Sequence, residues 1–297
     1  MNIHAVVVTY YPNRNDLETL ISQLQGAAII PVLVDNSEHE QTWLQDLQVD
    51  YLPQSENLGI AKAQNIGIEH ALRSSADAVL FFDQDTVVTK GALIELISTI
   101  NFDQPQVVAP VFIDKYQKKE YPSLRVNRYG LRRKIRSSGR KSNYQVDAVI
   151  SSGMLVTRQA IEIVGLMDED FFIDYVDTEW CLRCRNAGIP IFVNPQSVME
   201  HSIGDKVMDF IFFQVPVHKP FRRYYRVRNS FFLFRKTSVP KMLAIREVLF
   251  SIAHQVFLVV FERDRWAHIS FFSKAVVDGL MYRTGRSCNH KNLKYIS

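Results

Sequence analysis

Two aspartates end a short apolar run in the stretch AVLFFDQDTVV, residues 78–88. In an extended strand, residues two apart point to the same side, so Asp83 and Asp85 can reach one ligand while Gln84 faces away. Neighbouring carboxylates repel each other unless a cation lies beside them, and such oxygen ligands suit Mg²⁺ or Mn²⁺, which commonly bind substrate phosphates as well. The stretch therefore predicts a divalent metal site, unless the two acids are solvated loop residues that cap the next helix.

Further polar residues follow other apolar runs. Asp35 ends the run VLVD, a position where an acidic side chain commonly binds a nucleoside hydroxyl or a base N–H. The segment ENLGIAKAQNIG places Gly59 at a helix start, where a ligand can approach the backbone, with Asn57 before it and Lys62 one turn inside. Neither the dinucleotide pattern G-x-G-x-x-G nor the P-loop pattern is present, so a nucleotide bound here would use neither loop.

The elements that position these residues alternate between strand-like and helix-like segments. Short, continuously apolar strands separated by helices are typical of a parallel sheet covered on both faces. Ligands of open α/β sheets bind outside the carboxyl ends of the strands, where Asp35 and Asp83 are expected to lie. A doubly wound α/β domain is predicted from the segments IHAVVVT, DLETLISQLQ, IIPVLVD, GIAKAQNIGIEHALRS and DAVLFFD.

The second half of the chain is less regular. A strand VVAPVF precedes a long basic stretch, residues 115–144, which we interpret as a substrate loop or a disordered segment. Strand-like VDAVISSGMLVT, the helix RQAIEIVG, an acidic aromatic patch, the helix TEWCLRCRNAG and the strand IPIFVN follow. From about residue 219 the sequence is helical and rich in arginine and aromatic residues. We therefore divide the chain into an α/β domain, residues 1–218, and a helical C-terminal region, residues 219–297.

Charge is unevenly distributed along the 297 residues, although the net charge is only +4. Residues 125–141 and 219–236 are rich in arginine and lysine and contain no acidic residue. Such local fields attract phosphates, whether on a nucleic acid, a lipid head group or a diphosphate substrate. A solvated basic surface is the alternative, and it is weaker for the second run because aromatic residues lie among its arginines.

Cysteine usage and hydropathy bear on the compartment. Three cysteines, an odd number in a long chain, argue against a disulfide framework and favour a reducing compartment, with the cytoplasm as the default. We interpret the isolated C-x-x-C of Cys181 and Cys184 as packing residues. The N-terminus resembles a first strand rather than a leader, and no stretch approaches the roughly 18 uncharged residues of a membrane-spanning helix. We expect no segment that spans a bilayer.

The C-terminal helices combine apolar clusters with arginine and lysine at their margins. Amphipathic basic helices can lie on an anionic membrane surface. Packing on the α/β domain or on a second subunit is the alternative, so the region predicts either peripheral membrane contact, a homodimer contact or an internal one.

Several segments in consistent order between residues 3 and 235 resemble family 2 inverting glycosyltransferases of the GT-A fold, and more narrowly bacterial rhamnosyltransferases of O-antigen and polysaccharide assembly. The segments are VVVTYYP, VLVDNS, NLGIAKAQNIGI, FFDQD, SSGMLVTRQAIEIVGLMDEDFFIDYVDTEWCLRCRNAG and HSIG. The resemblance implies a Rossmann-like mixed sheet in a catalytic domain, residues 1–218, with a helical C-terminal extension.

The resemblance also implies which residues bind the nucleotide-sugar donor and its metal ion. Asp83-Gln84-Asp85 takes the place of the family's D-x-D motif, with Asp85 the direct ligand of Mg²⁺ or Mn²⁺ and Asp83 nearer the ribose or the metal. His201 in EHSIG matches a further metal ligand of several relatives, although a lone histidine is more often structural. The other residues implied to contact the donor are Thr9, Tyr11, Asp35, Asn57, Gly59, Lys62 and Arg228.

The catalytic base implied by the resemblance is Asp177 in DTEWCLR, which aligns with the family pattern D-V-D-L-C-L-R. The usual Glu-Asp pair reads Val176-Asp177 here, which leaves Asp174 and Glu179 as alternatives. From the residues alone, Asp177 also fits a helix N-cap, where the helix dipole would hold it ionised. The acceptor pocket is expected to include Glu179, Trp180 and Asn229, with the core as the alternative place for Trp180.

The activity implied is inverting transfer of L-rhamnose from dTDP-L-rhamnose to a lipid-linked glycan, by an enzyme that is cytoplasmic or peripheral on the inner membrane. Donor identity rests on analogy, and UDP- or GDP-linked sugars are the alternative. A nucleotidyltransferase would need a glycine-rich loop after the first strand, which VVVTYYPNRNDL lacks. A non-catalytic nucleic-acid binder that uses the two basic runs is the alternative from another class, and we expect no nucleic-acid partner.

Overall fold

The computed structural model describes residues 1–114, 118–201, 206–209, 214–217, 220–261 and 265–287. The elements in chain order are β1 (Ile3–Thr9), α1 (Arg14–Gly26), β2 (Ile30–Asp35), β3 (Asp50–Pro53), α2 (Ile60–Arg73), β4 (Ala78–Asp83), α3 (Lys90–Ile97), β5 (Val107–Asp114), β6 (Ser123–Val126), β7 (Arg132–Ile135), β8 (Tyr144–Val146), β9 (Leu155–Thr157), α4 (Arg158–Val164), α5 (Val176–Asn186), β10 (Ile191–His201), β11 (Lys206–Asp209), β12 (Gln214–Val217), α6 (Pro220–Phe232), α7 (Lys241–Phe261) and α8 (Arg265–Leu280).

An eight-stranded mixed sheet forms the centre of the molecule, in the order β3-β2-β1-β4-β9-β5-β10-β8. Strands β3, β2, β1 and β4 run parallel to one another, as do β5 and β10. Strand β9 lies antiparallel between β4 and β5, and β8 pairs antiparallel with β10. The predicted Rossmann-like mixed sheet with helices after it is confirmed.

The segment VDAVISSGMLVT differs from its prediction as one strand. Only its end forms β9, while β8 closes at Val146, before most of the segment begins. Between them Gly153 turns the chain with a φ of +69°, and a Cβ at this position would lie 2.7 Å from the Pro110 ring. The chain therefore leaves the sheet between β8 and β9, which frees these residues to line a cavity described below.

The basic stretch 115–144 also differs from its prediction. Its described part, residues 118–144, contains the antiparallel hairpin β6–β7 rather than an irregular loop alone. An isolated bridge between Leu124 and Ala148 ties this hairpin to the chain after β8.

Two apolar cores cover the two faces of the sheet, because side chains alternate along each buried strand. Val6 and Phe81 pack into one core with residues of α2, α4 and α5, whereas Val7 and Leu80 pack into the other with residues of α1 and α3. Burial on both faces explains why β1 and β4 are continuously apolar.

The C-terminal helices pack on the α/β domain. Phe172, in the loop before α5, joins a buried cluster with Tyr224 and Tyr225 of α6 and Ala275 of α8. The rings of Phe172 and Tyr225 stack with their centroids 4.7 Å apart. Of the three predicted environments for this region, the internal one is therefore present for α6.

Helix α7 differs from the expectation that no segment approaches a membrane-spanning composition. It is long and apolar enough to cross a membrane, by length and composition only, and 33% of its most apolar part is buried within the structure. The helix lacks 18 consecutive uncharged residues because Arg246 and Glu247 lie near its start. A single helix of this kind is weak evidence for a membrane span, since core helices meet the same criteria.

The start of α2 requires a glycine, which gives a first prediction. Gly59 has a φ of +84°, and a Cβ there would lie 2.6 Å from the backbone oxygen of Phe172. We expect Gly59→Ala to lower the free energy of unfolding by about 2–4 kcal/mol, because both the backbone conformation and the contact become strained. Urea unfolding followed by circular dichroism measures this change.

Two other glycines serve as controls for that measurement. Gly188 has a φ of +73° with nothing near its Cβ position, so Gly188→Ala isolates the backbone strain. Gly91 lies in α3 without either constraint, so Gly91→Ala should be neutral or slightly stabilising. Equal stability of all three variants would contradict the close approach of the Phe172 backbone to Gly59.

Candidate active site

A cavity of about 480 Å³ opens beyond the carboxyl end of β4, bordered by the β6–β7 hairpin and by helices α5, α6 and α7. Three of its acidic residues, Asp83, Asp85 and Asp177, are called the carboxylate cluster here. Its three arginines, Arg132, Arg222 and Arg226, are called the arginine cluster. The other charged residues that line the cavity are Asp174 and Glu247.

The turn after β4 holds the two aspartates of the DQD motif in place. Thr86 N donates to the Asp83 carbonyl at 3.2 Å, and the hydroxyls of Thr86 and Ser152 lie 2.7 Å apart. The Gln84 amide accepts from Tyr10 N at 2.6 Å and donates to the Tyr10 carbonyl at 3.3 Å. Gln84 is therefore bonded to the loop after β1 and does not line the cavity, while both aspartates do.

Thr9 and Asp35 end the adjacent strands β1 and β2, where their Cα atoms are paired in register. Asp35 Oδ1 accepts from Thr9 Oγ1 at 3.0 Å and from Ser37 Oγ at 2.7 Å. Tyr51 OH donates to Asp35 Oδ2 at 3.2 Å, and burial together with the Asp35 charge raises the pKa of Tyr51 to about 12. Tyr11 is exposed and its N donates to Ser37 Oγ. These residues form a network beside the DQD turn but do not line the cavity.

The start of α2 is occupied by protein contacts. Gly59 N donates to Asn57 Oδ1 at 3.0 Å, and Ile60 N donates to the Phe172 carbonyl at 2.7 Å. Lys62 is exposed on the first turn of the helix. Asn57, Gly59 and Lys62 thus do not line the cavity. Gly59 instead leaves the space in which the Phe172 backbone contacts the start of α2.

Asp177 lies on the first turn of α5, which begins at Val176. The N-cap position is Tyr175, whose φ of 66° is left-handed, so the alternative interpretation of Asp177 as the N-cap is wrong. Asp177 Oδ1 instead accepts from Thr178 N at 2.6 Å and from Thr178 Oγ1 at 3.2 Å. The carboxylate is partly buried on the cavity wall.

Burial raises the pKa of Asp177 above its ordinary value. The two hydrogen bonds from Thr178 oppose the shift, and the nearby charges of Asp174 and Asp83 add to it. A carboxylate with a raised pKa is a stronger base in its ionised form. Asp177 therefore has the electrostatic setting of a general base.

The two alternative acids are placed differently. Asp174 lines the cavity and pairs with Arg226 at 3.6 Å and Arg222 at 3.9 Å, so arginines already compensate its charge. Glu179 is buried away from the cavity and accepts from Arg183 at 2.9 Å and from Ser238 Oγ at 3.0 Å. Among the three candidate bases, Asp177 and Asp174 reach the cavity and Glu179 does not.

Trp180 and the two described cysteines belong to the core. The Trp180 indole donates to the Gly165 carbonyl at 2.8 Å and the residue is 1% exposed. Cys181 and Cys184 are buried and free, and burial raises the pKa of the Cys181 thiol to about 12. The expected pocket role of Trp180 is thus not supported, while the packing role of the cysteines is confirmed.

Arg228 and Asn229 lie in the interior, contrary to the expectation of phosphate or acceptor contacts. Both residues are fully buried in α6. Arg228 donates to the carbonyls of Asp170 and Phe171 at 3.1 and 3.2 Å. The Asn229 amide donates to three carbonyls of the same loop, those of Phe171, Ile173 and Asp174. The pair therefore fixes the loop 170–175 that leads into Asp177.

The arginine cluster is a feature that the motif analysis missed. Arg132 comes from the first acid-free basic run, and Arg222 and Arg226 come from the second. Arg132 pairs with Glu247 at 3.0 Å, and the other two pair with Asp174. The absence of acidic residues from both runs could have indicated this cluster, because arginines without acidic neighbours in sequence must find their acidic partners elsewhere in the chain.

Asp83 and Asp85 are the described residues with the chemistry of a metal site. Paired carboxylates at the rim of a cavity suit a hard cation that takes its remaining ligands from substrate phosphates and water. Among the described side chains, no group of three or more His, Cys, Asp or Glu residues is placed to hold a metal ion. His201 ends β10, and its side chain lies outside the described residues.

Comparisons with known proteins agree with this arrangement. Residues 6–165 match the model of Glycosyl transferase family 2. The chain is 40% identical to the dTDP-rhamnosyl transferase RfbF of Shigella flexneri, over 96% of this chain and 97% of the relative. It is 24% identical to the low-salt glycan biosynthesis hexosyltransferase Agl10 of Haloferax volcanii, over 95% and 92% of the two chains.

Solved glycosyltransferases share the fold. S. aureus TarS superposes with a TM-score of 0.60 at 14% identity, over 95% of this chain and 49% of that one. GalNAc-T7 in complex with UDP, GalNAc and Mn²⁺ gives a TM-score of 0.56 at 13% identity, over 89% and 58%. The chain thus spans about half the length of TarS and somewhat more of GalNAc-T7. From the family match and the extended identity to RfbF, we conclude that the chain belongs to glycosyl transferase family 2 and is a glycosyltransferase of the GT-A fold.

Proposed function

We propose that the protein transfers L-rhamnose from dTDP-L-rhamnose to a hydroxyl of a lipid-linked glycan, with inversion, in O-antigen or polysaccharide synthesis. The activity named for the Shigella flexneri relative supports the donor. The observation that carries the chemistry is the placement of Asp83, Asp85 and Asp177 in one cavity.

The reaction changes charge at two places. The departing dTDP gains negative charge, while the anomeric carbon becomes oxocarbenium-like before the acceptor oxygen bonds to it. Asp177 accepts the proton of the acceptor hydroxyl as that oxygen attacks, which typically contributes about 10²- to 10⁴-fold to the rate. The Thr178 hydrogen bonds hold the carboxylate in place for this step.

A divalent cation, Mg²⁺ or Mn²⁺, fits the pair Asp83 and Asp85, whose oxygens are the ligands such ions prefer. When bound, the cation supplies Lewis-acid stabilisation of charge on the diphosphate. The other contacts to the donor in our proposal come from residues of the chain. We place the nucleoside of the donor beside the Thr9–Asp35 network and Tyr11, and Gln84 bonds the loop after β1 to the DQD turn.

Glu247 links helix α7 to this cavity and gives a second prediction. It is 3% exposed, pairs with Arg132 at 3.0 Å and accepts from Tyr175 OH at 3.0 Å, directly before α5. We expect Glu247→Gln to lower the free energy of unfolding by about 1–3 kcal/mol, since it leaves the partly buried Arg132 without its counterion. Displacement of the start of α5 should also lower kcat about 10- to 100-fold.

The matched control for Glu247 is Glu162→Gln, which breaks an exposed pair with Arg158. Exposed pairs contribute about 0–1 kcal/mol, so this variant should unfold and react like the wild type. Urea unfolding and steady-state kinetics are measured on both variants. Wild-type stability and kcat in Glu247→Gln would show that the network does not support the site.

The proposed donor is tested by mass analysis of products. Purified protein is incubated with a lipid-linked acceptor, Mg²⁺ or Mn²⁺, and dTDP-L-rhamnose, UDP-linked or GDP-linked sugars in separate reactions. A mass gain of one rhamnose from dTDP-L-rhamnose alone is the expected result. Transfer from a UDP- or GDP-linked sugar instead would overturn the donor while leaving the reaction class intact.

The nucleic-acid alternative is weakened by the places that the arginines of the second basic run, residues 219–236, occupy in the structure. Arg223 and Arg228 are buried, and Arg222 and Arg226 line the cavity. These arginines would not form a surface for a polyanion. A salt titration of oligonucleotide binding tests this alternative. Weak affinity that does not depend on the base sequence and falls steeply as the salt concentration rises would indicate attraction by generic charge.

We further propose that the enzyme works in the cytoplasm, peripherally at the inner face of the inner membrane. The buried, free thiols of Cys181 and Cys184 are consistent with a reducing compartment. Fractionation of cells that express the chain, with and without a high-salt wash of the membranes, tests this location.

A further inference from the structure

Helix α7 presents an apolar outer face to its surroundings. After Lys241, every exposed residue of α7 is apolar, and no charged residue occurs between residues 248 and 261. At roughly 100° per residue these side chains cover about half of the helix circumference. The members of this outer face are Met242, Ile245, Leu249, Phe250, Ile252, Ala253, Val256, Val260 and Phe261.

The inner face of the same helix carries three polar residues among its six buried ones, the other three being Leu243, Ala244 and Leu258. Glu247, Ser251 and Gln255 recur at every fourth position and are buried. Gln255 donates to the His268 carbonyl of α8 at 2.8 Å, and the Ser251 carbonyl accepts from buried Arg223 of α6 at 3.2 Å. A helix in water normally has the opposite arrangement, with its apolar stripe inside and its polar residues outside. The environment of the outer face is therefore expected to be less polar than water.

We propose that the outer face of α7, together with Trp266 of α8, inserts into the acyl-chain region of an anionic phospholipid bilayer. The helix lies along the membrane surface with its polar face against the protein. The proposal deepens the proposed function and rests on it only in that the acceptor is lipid-linked.

The ends of the outer face favour a bilayer over a second copy of the chain. Exposed Lys241 begins the helix, whereas exposed Arg265 follows its last residue after a connection of mixed charge, Glu262-Arg263-Asp264 in sequence. Basic residues beside an apolar face attract anionic head groups. Trp266 is 83% exposed next to Arg265, and tryptophan favours the boundary between head groups and acyl chains.

The same helix borders the cavity. Leu243 and Glu247 line it from the inner side of α7, each two residues before Ile245 and Leu249 of the outer face, which is about half a helical turn. A bilayer on the outer face would therefore lie within one helix diameter of the cavity, about 10 Å. This arrangement suits an acceptor whose diphosphate stays at the head groups while its glycan enters the cavity.

The test is flotation of the full chain with vesicles, without donor or acceptor. Vesicles of phosphatidylcholine and phosphatidylglycerol are compared with phosphatidylcholine alone. The variant Leu249→Gln/Val256→Gln/Val260→Gln is expected to partition on the order of 1,000-fold less onto the anionic vesicles, because each of the three aliphatic side chains contributes about tenfold. The matched control Ile94→Gln/Ile163→Gln, exposed apolar residues of α3 and α4, should float like the wild type.

Circular dichroism and transfer to a short, water-soluble acceptor verify that the triple variant is folded and active. Wild-type flotation of the triple variant would overturn the proposal. So would a wild-type dimer in light scattering that becomes monomeric in the triple variant while neither protein floats, because the face would then be a homodimer interface. Flotation as expected without any sugar transfer would overturn the proposed function and support the docking face.

Discussion

Asp177→Asn is expected to lower kcat for sugar transfer by about 10²- to 10⁴-fold, because the amide cannot accept the acceptor's proton. The fold should persist. Folding raises the pKa of Asp177, so the folded protein binds this proton more tightly than the unfolded chain. Stability is therefore lost as the pH rises through the ordinary aspartate range toward the raised value. The neutral amide removes that penalty, and urea unfolding should show equal or greater stability for the variant.

Asp16→Asn is the control for the loss of a carboxylate in the first turn of a helix. Asp16 is exposed on the first turn of α1 and is not part of the cavity. It should retain wild-type kcat. The variant Asp174→Asn tests the alternative base. Full transfer by Asp177→Asn together with loss of transfer in Asp174→Asn would assign the base to Asp174.

The pH dependence of kcat/KM follows from the same residue. A base must be ionised, so kcat/KM should fall as the pH decreases through the pKa of Asp177. Burial holds this pKa above its ordinary value, and the acidic limb should lie correspondingly above the range of an exposed aspartate. An acidic limb at the ordinary value, or one that persists unchanged in Asp177→Asn, would contradict the assignment.

Asp85→Asn is expected to have the second large effect, a loss of transfer on the order of 10²- to 10⁴-fold, since a metal ion at the diphosphate stabilises its developing charge by several kcal/mol. The variant should also bind Mn²⁺ more weakly in the presence of dTDP, as measured by titration calorimetry. Asp83→Asn should weaken the same binding.

The control for the metal site is Asp103→Asn, an exposed aspartate outside the cavity. It should bind Mn²⁺ and transfer sugar like the wild type. Unchanged Mn²⁺ binding in both Asp83→Asn and Asp85→Asn would show that the DQD turn does not hold the ion, whatever happens to activity.

The fold was largely predictable from the sequence because continuously apolar strands and amphipathic helices alternate locally in the first half of the chain. Strands β1, β2 and β4 followed from their apolar runs, and the ends of these runs placed Thr9, Asp35 and Asp83 at one sheet edge. The antiparallel insertion of β9 did not follow, because strand direction depends on pairing with distant strands rather than on local composition.

The cavity was predictable only in part. Asp83, Asp85 and Asp177 were identified from motifs, whereas Arg132 and Glu247 came together through contacts between the β6–β7 hairpin and α7, far apart in sequence. Arg228 and Asn229 look like ligand contacts in a basic aromatic segment. Their burial against loop carbonyls depends on how α6 docks, which no local pattern encodes.

The bonds from Arg228 and Asn229 to the loop 170–175 have a consequence for synthesis of the chain. That loop has left-handed residues at Phe172, Asp174 and Tyr175, and its shape depends on a helix translated some fifty residues later. Domains generally fold from the N-terminus as the ribosome proceeds. The first half of the chain can thus be folded while this loop still lacks its partners, so we expect a nascent chain stalled before α6 to be inactive in sugar transfer.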